Sequence, residues 1–163
     1  MARAIGKVAK RARVSAVLDR KLPAQLYAKA REAAANAYAP YSGFAVGAAV
    51  ETSDGRIFAG ANMENASYGL TMCAEIGALQ AASSAGALKK IRRMVIVGGP
   101  IAGTTGRPQA AAPCGRCRQL IAEAAAVGNH DIEVWFADLD GRAVQRRPIS
   151  ELLPDAFCPA NLT

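Results

Sequence analysis

Three cysteines and one glutamate carry the chemistry of this 163-residue chain: Cys73-Ala74-Glu75, answered downstream by Pro113-Cys114-Gly115-Arg116-Cys117. Thiolates are good ligands for Zn²⁺, and a tetrahedral zinc with three protein ligands keeps its fourth position for water. The C-x-x-C spacing lets two sulfurs from one helix start reach the same ion, with Cys73 as the third ligand. Glu75, two residues after that ligand, reaches the water without binding the metal, as a proton shuttle must. The set predicts one Zn²⁺ on Cys73, Cys114 and Cys117, with Glu75 as the catalytic acid and base of a hydrolytic reaction.

Competing readings of these residues fit less well. A bare C-x-x-C also suits a redox pair, but the third cysteine in C-x-E and the proline before the pair argue for metal. A purely structural zinc would take four protein ligands. The spare candidates, Cys158 and His130, lie outside any ligand-like spacing. Cys158 reads as a free, semi-buried thiol in the C-terminal tail. His130 is the sole histidine and reads as a surface loop residue in Gly128-Asn129-His130-Asp131. So placed, it leaves a Ser-His or Cys-His nucleophilic mechanism little to work with.

The elements that must position these groups follow from periodicity. Residues 22–38 repeat Leu22, Leu26, Ala30 and Ala34 at helical spacing, with Pro23 early, where proline is tolerated. Residues 44–52 read as a strand, 53–55 as a tight turn, and 56–61 as the antiparallel return. A helix is expected from about Met72 to Gly86, and a strand over 91–97 ending at Gly98-Gly99-Pro100. A loop over 101–112 leads to a helix over 114–127. A strand over 132–137, a turn at 138–141, an edge strand near 142–145 and a helical turn at 150–154 complete the chain. This order predicts an α/β protein, a three-layer α/β/α sandwich around a mixed sheet. It places both ligand segments at helix N-termini, where free N–H groups and the helix dipole favour thiolate.

Composition narrows the class. The length suits one domain with a sizeable core, and no apolar run approaches the roughly 20 residues of a membrane helix. No apolar block with a small-residue cleavage site follows the basic N-terminus, so the expectation is a cytoplasmic protein without a secretory leader. Four cysteines in that setting read as thiols or ligands rather than disulfides. The net charge of +7 is concentrated in residues 1–21, where seven cations face Asp19 alone. That stretch is read as a solvated basic extension, and 22–163 as the catalytic domain. No aromatics interleave with its charges, which argues against a single-strand nucleic-acid surface.

With Asn62-Met63-Glu64-Asn65-Ala66-Ser67-Tyr68 and Pro40-Tyr41-Ser42-Gly43-Phe44-Ala45-Val46-Gly47, the cysteine motifs make the chain resemble the small, homotetrameric, zinc-dependent cytidine deaminases. The resemblance covers roughly residues 22–162. It implies hydrolytic deamination of cytidine and 2′-deoxycytidine to uridine and 2′-deoxyuridine, with release of ammonia, in pyrimidine salvage. It further implies ribose contacts from Asn62 and Glu64, pyrimidine packing by Phe44, and backbone contacts to the base at Ala66 and Ala74. Gln119 resembles polar support near the metal. Tyr68 and Phe157 resemble residues that reach a neighbouring subunit's site.

Three features depart from the family's pattern. Ile76 stands where an arginine usually follows the catalytic glutamate and hydrogen-bonds the ligand thiolates, leaving Arg116, Arg118 or helix N–H groups to compensate. The 101–112 loop is long, and the basic extension is additional. An aliphatic residue after the glutamate also occurs in blasticidin deaminases, so a modified cytosine nucleoside is an alternative substrate. Their loop lacks the N-x-E-N-A-S pattern found here. A rival from another class is a non-catalytic zinc module that binds nucleic acid, against which Glu75 argues. Polynucleotide-editing relatives usually carry histidine at the position of Cys73.

Overall fold

The computed structural model describes residues 22–101 and 109–162. The basic extension at 1–21 and most of the long loop expected over 101–112 lie outside the described residues.

Five strands form one mixed sheet: β1 (Phe44–Thr52), β2 (Ile57–Ala61), β3 (Ile91–Pro100), β4 (Glu133–Asp138) and β5 (Gln145–Pro148), in the order β2-β1-β3-β4-β5. β1 runs antiparallel to β2 and β3, β3 pairs parallel with β4, and β5 returns antiparallel along β4. Alternation along the central strands separates two cores. Ala48 and Val50, Met94 and Ile96, and Val134 and Phe136 face one side. Helices α2 (Ala74–Ser84) and α3 (Gly115–Gly128) cover it with Ala78, Leu79, Ile121 and Ala125. Ala49, Val95, Val97, Trp135 and Ala137 face the other side, against Leu26, Ala30 and Ala34 of α1 (Ala24–Ala35). Side chains of period two therefore build the expected three layers from one sheet.

The helices approach the sheet to backbone contact. A Cβ on Gly47 would lie 2.0 Å from the Ala30 carbonyl oxygen, and one on Gly60 would lie 2.6 Å from the Ala78 nitrogen. Alanine on the helices and glycine on the strands make this separation possible. It draws the start of α2 down onto the β1–β2 hairpin.

Several boundaries differ from expectation for physical reasons. α1 is shorter than 22–38: Pro23 is its extended N-cap, and its carbonyl accepts the Tyr27 N–H at 2.8 Å. At the other end Asn36 folds back onto the Glu32 and Ala33 carbonyls, and Tyr38 leaves to bridge Met63. β3 continues through Gly98-Gly99-Pro100, because β1 supplies partners for these residues as far as Phe44. β5 begins later than residue 142. The buried Asp138 carboxylate takes the Arg142 N–H at 2.7 Å and its carbonyl takes the Gly141 N–H, so the turn is longer. A short helix, α4 (Ile149–Leu152), follows β5.

His130 lies in the loop between α3 and β4, as expected, but is half-buried and not on the surface. Asn129 takes a left-handed conformation at the end of α3 (φ 54°) and turns the chain inward. Both ring nitrogens of the half-buried His130 then face backbone carbonyl oxygens, of Gly128 and Ile91. Its role is to tie the end of α3 to the start of β3. Cys158 is half-buried, as expected of a free thiol.

Candidate metal centre and active-site pocket

Cys73 is the N-cap of α2 and Cys114 the N-cap of α3, both in extended backbone conformation and neither capped by a side-chain hydrogen bond. Cys117 falls three residues after Cys114, the spacing at which a capping box brings side chains together over a helix start. The three sulfurs all lie within 4.8 Å of one another, with Cys73 and Cys114 at 4.0 Å. Ligands about 2.3 Å from a tetrahedral Zn²⁺ stand roughly 3.8 Å apart, so this donor set fits the ion. Among the described residues it is the one such cluster that could hold a metal.

The trio on its own favours one thiolate, at Cys73. The Cys73 thiol is pulled down to about 6, chiefly by the hydrogen bond from Cys117; Cys114 and the Arg116 charge add to this, while burial and Glu75 oppose it. Cys117, wholly buried and hydrogen-bonded to Cys73, is pushed far up. Glu75, only 4% exposed on the first turn of α2, has its carboxyl pKa raised by burial, against weaker lowering by a backbone N–H and Cys117. A carboxyl group in this position holds and releases a proton more readily near neutral pH than an exposed one.

A cavity of about 240 Å³ opens beside these groups. Phe44, Val46 and Asn62 line it from the β1–β2 side, Ile96 from β3, and Thr71 to Glu75, Ala111, Ala112 and Cys114 from the helix starts. Asn62 is built into its wall: its Oδ1 accepts the Val46 N–H at 2.8 Å, and its Nδ2 donates to the Phe44 carbonyl at 2.9 Å. One amide hydrogen remains for a ligand. Glu64, which does not line the cavity, accepts the N–H groups of Tyr41 (2.9 Å) and Ser42 (3.2 Å) through one oxygen. Its pKa is lowered, first by the Ser42 hydroxyl and then by those two N–H groups.

The structure thus brings Cys73, Ala74, Glu75, Cys114, Phe44 and Asn62 to one pocket, with Cys117 directly behind. Ala66, Tyr68 and Phe157 do not line it and are not buried. Tyr68 packs edge-on against Tyr41, with ring centroids 5.7 Å apart. Gln119 is turned to the tail, donating to the Phe157 carbonyl at 2.6 Å, and Ile76 is buried. Val46, beside Phe44 in the 40–47 motif, and Thr71, Met72, Ile96, Ala111 and Ala112 were not anticipated as site residues. Thr71 and Met72 directly precede Cys73, a signal that was available in the sequence. Ile96, Ala111 and Ala112 arrive through cross-strand register and loop path, which no local pattern encodes.

The sequence model for the cytidine and deoxycytidylate deaminase zinc-binding region matches residues 21–129. The cytidine deaminase of Halalkalibacterium halodurans is 45% identical over 140 residues, covering 86% of this chain and 95% of that protein. That of Mycobacterium tuberculosis is 41% identical over 132 residues, covering 81% and 86%. The solved structure of the Burkholderia pseudomallei cytidine deaminase superposes with a TM-score of 0.71 at 41% identity, over 84% of this chain and all of that one (100%). A thiol trio of ligand dimensions, a buried glutamate at its edge and these relatives converge: the chain belongs to the zinc-dependent cytidine and deoxycytidylate deaminase family.

Proposed function

We propose that the protein hydrolyses cytidine and 2′-deoxycytidine to uridine and 2′-deoxyuridine, consuming one water and releasing one ammonia, as a cytoplasmic step of pyrimidine salvage. The observation that carries this reading is Glu75, a carboxyl group buried at the wall of the same pocket as two of the three thiols. Zinc held by Cys73, Cys114 and Cys117 supplies the Lewis acidity that makes water a nucleophile near neutral pH. Glu75 does the proton work: it takes one proton from the attacking water and delivers it to ring N3, then takes the proton of the new C4 hydroxyl as the carbonyl forms and passes it to the departing amine, which leaves as ammonia. Its raised pKa suits a group that must be base and acid in turn.

Phe44 and the apolar wall hold the pyrimidine and exclude water, with the backbone at Ala74 contacting the base. The remaining donor of Asn62 and the ionised carboxylate of Glu64 bind the ribose hydroxyls. Tyr68 and Phe157 complete a neighbouring subunit's site in a homotetramer. In support, Tyr38, Tyr41, Met63, Leu70, Tyr68 (74% exposed) and Phe157 (59% exposed) are large apolar residues left on the surface. Residues 22–163 form the catalytic domain, and the basic stretch 1–21 stands outside it.

The test is loss of cytidine absorbance on adding purified protein, with uridine and ammonia identified as products. Absence of turnover by zinc-loaded protein defeats the proposal. Turnover confined to a sugar-modified cytosine nucleoside would transfer it to that substrate. Sedimentation across a dilution series tests the tetramer, which a fully active monomer contradicts.

A further inference from the structure

Three thiolates on one Zn²⁺ carry a net charge of −1, and an ionised Glu75 beside them adds to it. In a largely apolar pocket that excess needs a nearby cation or aligned donors. Ile76, next to Glu75 on α2, offers neither. Arg118 is committed elsewhere: its Nε donates to the Pro113 carbonyl at 2.8 Å and its Nη1 to the Leu152 carbonyl at 3.2 Å, facing α4. Arg116 is placed differently. It lies between Cys114 and Cys117 in the first turn of α3, and its guanidinium reaches back over the start of α2. There Nη1 stands 3.4 Å from the Thr71 carbonyl oxygen and Nη2 stands 3.9 Å from the Met72 sulfur. These are the two residues that lead into Cys73.

We propose that Arg116 is the positioning residue of the metal centre. It provides the positive charge that balances the three-thiolate zinc, and it straps the Cys73 segment to the helix that carries the other two ligands. Both tasks fall to one side chain because the guanidinium is planar, permanently charged and presents several donors at once. An ammonium can supply the charge but not the two-point strap. A glutamine can supply a hydrogen bond to Thr71 but not the charge. Arg116 is exposed, so its electrostatic contribution is screened by salt. The inference rests on the zinc centre and concerns how tightly the chain keeps its metal.

The experiment measures zinc release from the holo-protein to a chromogenic chelator, for the wild type, Arg116→Gln and Arg116→Lys, at low and high ionic strength. Outer partners of metal ligands typically change affinity about 10–100-fold. Arg116→Gln should therefore release zinc roughly tenfold faster at low salt, with Arg116→Lys recovering most of the difference. The wild-type advantage should shrink as salt rises. In cobalt-substituted protein, the thiolate-to-cobalt charge-transfer band should shift in Arg116→Gln and move back in Arg116→Lys.

Equal release from wild type and Arg116→Gln overturns the proposal. Glutamine and lysine variants that behave alike at both ionic strengths overturn the charge role. If a variant does not fold, the salt dependence of release from wild type still decides, and its absence counts against the proposal. Zinc missing from the wild type itself would defeat the metal centre instead, so the two failures are distinguishable.

Discussion

The two ends of β1 each gather carboxylate chemistry and treat it in opposite ways. At its start, Phe44 and Val46 share a pocket with Glu75, where burial pushes the carboxyl pKa up. At its far end, the turn at residues 53–55 holds Asp54 in solvent among donors. Thr52 offers a hydroxyl, Arg56 a guanidinium at 3.2 Å and Lys90 an ammonium at 3.1 Å. These hold the Asp54 carboxyl well below the usual carboxylate range. A carboxylate rich in donors keeps its charge and fastens a turn. One whose burial outweighs its donors takes up and yields protons more readily, which suits a proton shuttle. The contrast teaches that surroundings, not residue type, divide the acids of this sheet into structural and chemical ones.

The largest effect should come from removing the ligands that give Glu75 its task. Cys114→Ala combined with Cys117→Ala should abolish zinc binding, and cytidine turnover should fall to background. Metal analysis of the purified double variant checks this, and full zinc content would refute the ligand assignment. Next comes Glu75→Gln, which keeps the size of the side chain and removes its proton. Zinc content should be unchanged, while kcat should fall roughly 10²–10⁴-fold, toward the upper end because one carboxyl serves several transfers. A variant that deaminates cytidine at nearly the wild-type rate would end the distinction between the two carboxylates.

Much of the chemical end was legible because it is local. Ligand identity, the C-x-x-C interval and the offset of Glu75 from Cys73 are properties of residue type and helix geometry. The bounds of β1 follow from the strand-like run 44–52 and the turn at Asp54-Gly55, where Gly55 has φ 79°. What stayed hidden depends on partners distant in sequence. Gly98 and Gly99 look like a strand end until β1 supplies Val46 and Ala45 as their register partners. The later start of β5 depends on a buried Asp138 capturing the Arg142 N–H. The inward turn of His130 depends on the Ile91 carbonyl of another element. Asn62 was expected as a ribose contact from resemblance, yet its two bonds to β1 show a second task as a clip between strands.

A substitution between the two extremes tests whether the pocket wall is set by that non-local register. A Cβ on Gly98 would lie 2.8 Å from Ala111 Cβ and 2.9 Å from Phe44 Cε1, and both of those residues line the cavity. Gly98→Ala must therefore displace the pocket wall, at a stability cost of about 1–3 kcal/mol for overpacking. Because Glu75 and the thiols are untouched, KM for cytidine should rise more than kcat falls. Steady-state kinetics beside a melting curve read both effects. An unchanged KM would show that Phe44 does not set substrate affinity.

The smallest effect should come from the structural carboxylate. Asp54→Asn keeps an oxygen for the Thr52 hydroxyl but drops the ion pairs with Arg56 and Lys90, which are about half exposed. The folded pKa of Asp54 lies below its unfolded value of about 3.9. Its contribution is therefore complete above about pH 5 and drains away as pH falls through the unfolded and then the folded pKa. The wild type should melt slightly higher than Asp54→Asn at about pH 7, and the gap should begin to narrow as the pH falls below about 4 and close only in strong acid, below the folded pKa. Added salt should narrow the gap at neutral pH. Turnover of cytidine should not change, since the turn lies at the end of β1 away from the pocket. A melting deficit that persists undiminished in acid would assign the effect to turn geometry instead of charge. A loss of turnover without a change in melting would show that the two ends of β1 are coupled, and the division between structural and chemical acids would have to be withdrawn.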